Sequence, residues 1–306
     1  MPVGSSMGVI FGGNMRILLI AILSLWAMPV WAQPLKVVTS ITILADMVRQ
    51  VGGEDVEVTS LVGPNGDAHV FEPGPADVAK LSSAGLLVTN GLDLEGWMDR
   101  LIQSAAYRGP LVVAARDVSI VNHEEEGKRE KDPHAWQDVM RGRAYVAQIT
   151  VGLIKVDPAH AEAYRARATV YDKSLAALNL WVKEQIALVP KDKRKVITSH
   201  DAFGYFADAY GVKFMAPRGI NTEAEPKAGE LAELIKQVRS TGVTALFLEN
   251  MAETKSADLL VREAGAVIGG TLYVDSLSAK DGPASTYEAM FRHNVPLLRD
   301  AMLKNK

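Results

Sequence analysis

The sequence predicts an α/β protein with two lobes, each built on a mainly parallel four-stranded sheet flanked by helices, and a long rigid linker helix that joins them. Short segments rich in Val and Leu alternate with helix-like segments in both halves of the chain. These strand candidates are continuously apolar, as expected for strands buried on both faces of a parallel sheet. The predicted boundaries are 33–156 for the N-terminal lobe, 157–190 for the linker helix and 191–306 for the C-terminal lobe.

The first lobe shows the alternation of strand and helix most clearly. Its strand candidates are Leu35–Ser40, Val56–Val62, Gly85–Asn90 and Leu111–Ala115. Its helix candidates are Ile41–Val51, Pro75–Ala84 and Leu94–Ala105. The first helix is followed by Gly52-Gly53, a typical helix stop.

The second lobe repeats this design. Its strand candidates are Lys195–Ser199, Val212–Ala216, Val243–Glu249 and Ala266–Val274. Its helix candidates are Ala202–Tyr210, Ala228–Ser240, Ser256–Ala264 and Tyr287–Leu303. A glycine separates helix from strand at Gly211, Gly242 and Gly265. Alternation of this kind indicates parallel sheets in both lobes.

A helical stretch connects the lobes, in two pieces at Val139–Lys155 and Pro158–Val189. The second piece begins with Asp157-Pro158, a favourable helix cap followed by a proline in the first turn. About 30 helical residues span roughly 45 Å, long enough to run along both lobes. We expect such a linker to resist wide opening and closing.

The first 32 residues predict a cleaved signal peptide. Arg16 precedes the apolar run Ile17–Met28, and Val30-Trp31-Ala32 supplies small residues at the cleavage position. The run is short for a membrane span. The chain contains no cysteine, which excludes disulfides and a lipid-anchor cysteine. The sequence therefore predicts a periplasmic protein with no lipid anchor and no direct membrane insertion.

Charge and composition narrow the class of partner. The formal net charge is −3, which argues against nonspecific nucleic-acid binding. Residues 122–131 are charged and carry no large apolar side chain, and they predict a flexible surface loop. We expect a monomer.

Three histidines and one aspartate each lie just after a predicted strand or its loop: His69, His134, His200 and Asp275. Carboxyl ends of parallel strands meet at one edge of a sheet, so two ligands from each lobe would converge in the cleft between the lobes. Three imidazoles and a carboxylate complete a four-coordinate shell around a divalent transition metal. A closed shell favours holding a metal over catalysis with it.

A single histidine is more often a surface or hydrogen-bonded core residue, and His123, His160 and His293 take that interpretation. On pattern alone Asp275 has rivals near other strand ends. Carboxylates that can accept a hydrogen bond from the far ring nitrogen of a ligand histidine are Asp67, Glu72, Asp132, Asp201 and Glu249. Capping a helix or facing solvent is the simpler role for each of these taken separately. Trp97 and Trp136 are expected to pack in the core or the cleft walls.

Five motifs resemble those of the metal-binding component of ABC-type zinc or manganese importers. They are Gly-Pro-Asn-Gly-Asp-Ala-His-Val-Phe-Glu-Pro at 63–73, Asp-Pro-His-Ala-Trp at 132–136, Thr-Ser-His-Asp-Ala-Phe-Gly-Tyr-Phe at 198–206, Glu-Ala-Glu-Pro at 223–226 and Tyr-Val-Asp-Ser-Leu at 273–277. The resemblance extends over essentially all of 33–306.

The resemblance implies one metal in the cleft, bound by His69, His134, His200 and Asp275, and delivery to a membrane permease driven by a cytosolic ATPase. Zinc-type members often carry a histidine-rich loop before the second motif, whereas this loop has only His123. Many manganese members have a carboxylate where His200 stands. Both Zn²⁺ and Mn²⁺ stay open as the transported ligand, with zinc favoured because nitrogen ligands suit it better.

Two other functions remain as alternatives to transport. A periplasmic zinc-dependent hydrolase would use three histidines and an open water position, with Asp275 as a base. The sequence has neither a His-Glu-x-x-His motif nor a Gly-x-Ser-x-Gly nucleophile turn, so no enzymatic activity is expected. A metal-dependent adhesin or metal-storage protein would bind the same ion without a permease.

Overall fold

A computed structural model of the chain describes residues 8, 33–125, 128–220, 222–223, 228–243, 245–251 and 255–305. The predicted signal peptide lies outside the described residues apart from Gly8, as do residues 224–226 of the fourth motif. Residues from Pro34 onward form one compact unit.

The first sheet consists of the strands β1 Leu35–Thr39, β2 Val56–Ser60, β3 Leu86–Thr89 and β4 Leu111–Val113, in the order β2-β1-β3-β4. All neighbouring strands are parallel, as predicted. Its helices are α1 Thr42–Gly52, α2 Pro75–Ser82 and α3 Met98–Ser104. Helix α3 begins at Met98, later than the predicted start at Leu94. The two residues before that predicted start, Leu92 and Asp93, adopt positive φ angles of 55° and 66° and form a turn outside the helix.

Residues 122–125 and 128–131 of the charged segment form two paired strands, whereas the sequence predicted a flexible loop over 122–131. Strands β5 Asn122–Glu125 and β6 Lys128–Lys131 pair antiparallel. Adjacent segments of a chain can pair through their backbone groups alone, so a charged segment without an apolar face still forms a ribbon. This ribbon connects β4 to the segment that carries His134.

The linker consists of α4 Val139–Val156 and α5 Ala161–Ala187, separated by a single 3₁₀ turn at Pro158–His160. The Asp138 side chain accepts a hydrogen bond from the backbone N–H of Met140 and so caps α4. Helix α5 has 27 residues, which at 1.5 Å each extend over roughly 40 Å. The predicted long helix is confirmed.

The second sheet repeats the topology of the first. Its strands are β7 Lys195–Ile197, β8 Lys213–Met215, β9 Ala245–Glu249 and β10 Val267–Leu272, in the order β10-β9-β7-β8 and parallel throughout. Its helices are α6 Gly204–Tyr210, α7 Ala228–Thr241, α8 Lys255–Ala264 and α9 Tyr287–Met302. Thr286 caps α9 by accepting a hydrogen bond from the backbone N–H of Ala289. The predicted fold class is confirmed.

One apolar core runs through both lobes. It includes Leu87 of the first sheet, Leu178 of α5, and Phe206 and Phe291 of the second lobe, all at most 1% exposed. A shared core of this kind opposes separation of the two sheets, because opening would expose apolar surface to water. Among the described residues, none of the helices combines the length and apolarity needed to cross a membrane.

Candidate metal centre

The four predicted side chains converge at the carboxyl ends of the two sheets. His69 follows β2, His134 follows the β5–β6 hairpin, and His200 and Asp275 each lie three residues beyond the end of β7 and β10. Each offers one nitrogen or oxygen, and these atoms all lie within 4.8 Å of one another. The strands end here, so the backbone is free to turn and the side chains point into the space between the lobes.

Four of the distances between these atoms are close to the edge length of a tetrahedral shell. The Nε2 atoms of His69 and His134 are 3.3 Å apart. Asp275 oxygens lie 3.5, 3.6 and 3.4 Å from the Nε2 atoms of His69, His134 and His200. A tetrahedron with metal–ligand bonds of about 2.0–2.1 Å has edges of about 3.3–3.4 Å. These side chains can therefore surround one small divalent ion.

The site is shielded from water and holds polar atoms without partners. His134, His200 and Asp275 are fully buried, and His69 is 8% exposed. Nε2 of His200 and both carboxylate oxygens of Asp275 are buried without a hydrogen-bond partner. Leaving such atoms unpaired costs roughly 1–3 kcal/mol each, and more for a charged group. A bound cation would satisfy all three atoms.

Two further carboxylates orient His134 and His200 by contacting the ring nitrogens that face away from the centre. Asp132 Oδ1 lies 2.8 Å from His134 Nδ1, and Glu249 Oε2 lies 2.5 Å from His200 Nδ1. When these Nδ1 atoms carry the proton, each Nε2 keeps its lone pair free for a metal. Asp132 and Glu249 also accept hydrogen bonds from the backbone N–H groups of His134 and His200.

The electrostatics of the centre strongly perturb two of its groups. Burial opposes a charge on His200, yet the adjacent Glu249 and Asp275 carboxylates raise its pKa well above the ordinary value. Burial likewise opposes ionisation of Asp275, but His200 and His134 lower its pKa well below the ordinary value. Without a metal, a proton on His200 thus balances part of the buried negative charge.

The loop that carries His69 is held on both sides. Asp67 Oδ1 accepts a hydrogen bond from the His69 backbone N–H, and Asp67 Oδ2 accepts one from Thr222 Oγ1 in the second lobe at 2.6 Å. Trp97 is 2% exposed and donates from Nε1 to the Ala68 carbonyl. The predicted buried position of Trp97 is therefore confirmed.

Trp136 forms a wall beside the centre, as predicted. Its ring centroid lies 5.3 Å from that of His134, and its Nε1 donates to the Val274 carbonyl next to Asp275. The Trp136 carbonyl accepts a hydrogen bond from the Tyr287 hydroxyl. One buried side chain thus supports ligand-bearing segments from both lobes.

The remaining candidates lie outside the centre. Glu72 is exposed, and Asp201 is half-buried immediately after His200. His160 contacts Asp157 at 2.6 Å, and the His293 Nε2 lies 3.0 Å from the Thr271 carbonyl. The His123 side chain lies outside the described part of the chain.

Sequence reasoning missed Asn90 and Asn250, which support the site-bearing loops. Asn90 Nδ2 donates to the Pro133 carbonyl and its Oδ1 accepts from the Tyr145 hydroxyl, which fixes the segment before His134. Asn250 accepts from the Val274 backbone N–H and donates to the Ser276 carbonyl, on both sides of Asp275. Asn90 directly follows β3 and Asn250 directly follows β9. Their positions at the strand ends were the only feature of the sequence that could have indicated a role near the site.

Comparison with known proteins places the chain in a family. The model of ZnuA, zinc-uptake complex component A, periplasmic, matches residues 37–301, which include all four converging side chains. The chain belongs to this family. Its members are metal-binding solute-binding proteins of transporters, so the chain is a metal-binding substrate-binding protein of an ABC transporter.

Similar proteins carry different metals in their names. The manganese-binding lipoprotein MntA of Bacillus subtilis is 33% identical over 277 residues, covering 88% of this chain and 90% of its own. The iron ABC transporter substrate-binding lipoprotein MtsA of Streptococcus pyogenes is 29% identical over 311 residues, covering 98% of this chain and all of its own. The structure of the periplasmic zinc-binding protein TroA of Treponema pallidum aligns with a TM-score of 0.84 and 29% identity, covering 89% of this chain and all of its own.

The part of the localisation prediction that excluded a lipid anchor is wrong in the light of these relatives, whereas the periplasmic part agrees with the description of the family model. MntA and MtsA are both named lipoproteins, and these names conflict with the prediction that the protein has no lipid anchor. The prediction rested on the absence of cysteine, which removes one attachment group and does not determine where a protein resides.

Proposed function

We propose that this protein captures one divalent transition metal through His69, His134, His200 and Asp275 and delivers it to an ABC-type permease for import. The observation that carries the proposal is the cluster of four buried donor groups within 4.8 Å of one another, in which the Asp275 oxygens lie 3.4–3.6 Å from the three Nε2 atoms. Three neutral imidazoles and one carboxylate leave the loaded site at a net charge of about +1 before its neighbours are counted. The buried Asp132 and Glu249 carboxylates offset that charge.

Zinc is the proposed cargo, in preference to manganese or iron. Three ring nitrogens and a carboxylate oxygen at tetrahedral spacing form a donor set that suits zinc. Manganese favours oxygen ligands in an octahedral arrangement, which has six positions. The names of MntA and MtsA point to other metals for those proteins, and direct competition decides the matter for this one.

Capture is favoured over hydrolysis by the position of Asp275. A zinc hydrolase keeps one coordination position open for water. Here the Asp275 oxygens lie within 3.6 Å of all three Nε2 atoms. Asp275 therefore occupies the position of a fourth ligand beside the three histidines. We therefore assign Asp275 as a ligand and not as a base, and propose no enzymatic activity.

Delivery requires a partner that lowers the affinity of the site. We propose a membrane permease powered by a cytosolic ATPase, with this protein acting as a monomer. The continuous core and the long α5 favour release through a small movement of loops and lobes over wide opening. The lobe boundaries 33–156, 157–190 and 191–306 stay predictions within this scheme.

The proposal is tested by zinc uptake in cells that lack this protein but retain its permease and ATPase. The wild-type protein is expected to restore uptake of labelled zinc at limiting concentration, and His134→Ala is expected not to. His293→Ala is the matched control, since that histidine lies on α9 outside the centre, and it should restore uptake. Full restoration by His134→Ala would contradict the proposal.

A further inference from the structure

A cavity lies beside helix α5, and none of its lining residues belongs to the metal centre. Its volume is about 450 Å³, and it lies between α1, α5 and the start of α9. That size is typical of small-molecule sites. The polar residues that line it are Asp46, Gln50, Arg167, Tyr171, Ser174, Thr286 and Glu288.

Asp46 is a buried carboxylate without a cationic partner. It is 5% exposed, and its oxygens accept hydrogen bonds from the Tyr287 backbone N–H at 2.8 Å and from Gln50 Nε2 at 3.2 Å. Among the ion pairs of the described residues, none includes Asp46. Burial raises its pKa, which those hydrogen bonds only partly offset. A carboxylate has about four acceptor positions, so the group retains capacity for a charged donor.

Tyr171 is a second unsatisfied group in the same wall. Its side chain is 7% exposed, and its hydroxyl is buried without a hydrogen-bond partner. Most buried hydroxyls have a partner in the protein or in ordered water, and an unpaired one costs roughly 1–3 kcal/mol. A donor entering the cavity would satisfy this oxygen as well as Asp46.

The other charged groups that line the cavity already have partners of their own. The Arg167 guanidinium already donates to the carbonyls of Val51 and Gly52 and to Asp55. Glu288 accepts from Ser174 Oγ at 2.8 Å and from Arg292. Asp46 therefore forms no ion pair with Arg167, and the charge of Arg49 lowers its pKa without an ion pair between the two side chains. Val170, which is 70% exposed, offers an apolar rim.

We propose that this cavity binds a small organic cation, an ammonium group on a short alkyl chain. The ammonium would donate to Asp46 and Tyr171, and the chain would lie against Val170. Such a ligand would bridge α1 and α5 beside the start of α9, and it would therefore stabilise the packing of the first lobe against the linker.

The test uses 1,5-diaminopentane as the probe on the zinc-loaded protein, with 1,5-pentanediol as the uncharged probe of the same length. Calorimetry is expected to show saturable one-to-one binding of the diamine in the millimolar range or tighter, and none of the diol. The diamine should also raise the unfolding temperature, which potassium chloride at equal ionic strength should not do. An equal rise with potassium chloride would overturn the assignment to an organic cation.

Three variants locate the site. Asp46→Asn and Tyr171→Phe are each expected to weaken diamine binding about tenfold or more, because a charge-assisted or buried hydrogen bond is lost. In Val170→Trp the larger side chain should block the opening of the cavity and abolish binding. Because Val170 is exposed, this variant should fold normally. The exposed Asp192→Asn is the control and should change nothing. Unaltered affinity in Val170→Trp, or no binding by the wild-type protein, would overturn the proposal.

Discussion

Asp132 and Glu249 act on the metal centre through the ring nitrogens that face away from it. They lie 2.8 and 2.5 Å from the Nδ1 atoms of His134 and His200. A carboxylate in this position selects the tautomer that leaves Nε2 free and increases the basicity of the ring. We therefore expect affinity for the metal to depend on residues that do not touch it.

Removing one of these charges is predicted to weaken zinc binding without disturbing the shell. Glu249→Gln and Asp132→Asn should each lower zinc affinity by about 10–100-fold, measured by competition with a chelating dye. Asp192→Asn, an exposed carboxylate, is the matched control and should bind as the wild type does. Wild-type affinity in both variants would show that zinc binding does not depend on the contacts of these carboxylates with the Nδ1 atoms.

Proton release provides a second test at the residue scale. Because its neighbouring carboxylates raise the pKa of His200 well above 6.5, the metal-free protein carries a proton on His200 at neutral pH. Zinc must displace it, so about one proton should be released per zinc bound near pH 7. Calorimetric titrations in buffers with different ionisation enthalpies measure this number, and heats that do not depend on the buffer would contradict it.

The same shifts set how the stability of the metal-free protein depends on pH. A raised pKa on His200 stabilises the fold at pH values below 6.5, and this contribution disappears as pH rises through the raised pKa. The lowered pKa of Asp275 contributes above 3.8 and is lost as pH falls through the lowered pKa. Urea unfolding of the metal-free protein should therefore show stability declining on the alkaline side. The decline should be smaller in Glu249→Gln, which loses one of the two carboxylates that raise the pKa of His200.

At the scale of elements, the strands and the linker were predictable from the sequence. A short, mainly apolar run such as Leu86–Thr89 that lies between glycines is typical of a buried strand. Helix α5 was predictable because an Asp-Pro start and a long glycine-free stretch favour one long helix. The four converging side chains followed from their positions after strands, together with the resemblance to a family.

The loops around the site were harder to predict, because their conformations depend on contacts between the lobes. Asn65 has a φ of 57°, and its backbone N–H donates to the Leu277 carbonyl more than 200 residues away. Such a contact leaves no periodic signal. The same holds for Asn250, whose Nδ2 lies 3.0 Å from Asn65 Oδ1.

Helix α5 offers a matched pair of leucines for testing the packing. Leu178 is fully buried in the shared core, whereas Leu180 is 61% exposed on the same helix. Leu178→Ala should lower the free energy of unfolding by about 2–5 kcal/mol, because it removes apolar contacts and leaves a cavity. Leu180→Ala should stay within about 0.5 kcal/mol. Urea denaturation measures both, and equal effects would contradict the assigned core.

At the scale of the whole molecule, a few polar contacts close the lobes around the site. The hydrogen bond from Thr222 Oγ1 to Asp67 Oδ2 ties the second lobe to the loop that carries His69. Breaking it should speed release of the metal more than it slows capture, because the bond forms only when the lobes meet.

Thr222→Val is therefore predicted to raise the zinc dissociation rate by about 2–10-fold, the equivalent of one hydrogen bond. Stopped-flow transfer of zinc to an excess of chelator measures the rate. Thr169→Val is the control, since the Thr169 hydroxyl bonds only within α5, to the Arg165 carbonyl. A rate that is unchanged in Thr222→Val would exclude this contact as a restraint on release.

The central claim is that four side chains from two lobes hold one zinc ion as cargo. Calorimetric titration of the chelator-stripped protein, with elemental analysis and competition between Zn²⁺ and Mn²⁺, tests it most directly. We predict one tightly bound Zn²⁺ per chain that excess Mn²⁺ does not displace, and loss of this binding in His200→Ala. Stoichiometric binding that survives in His200→Ala, or no stoichiometric binding of either ion, would contradict the account.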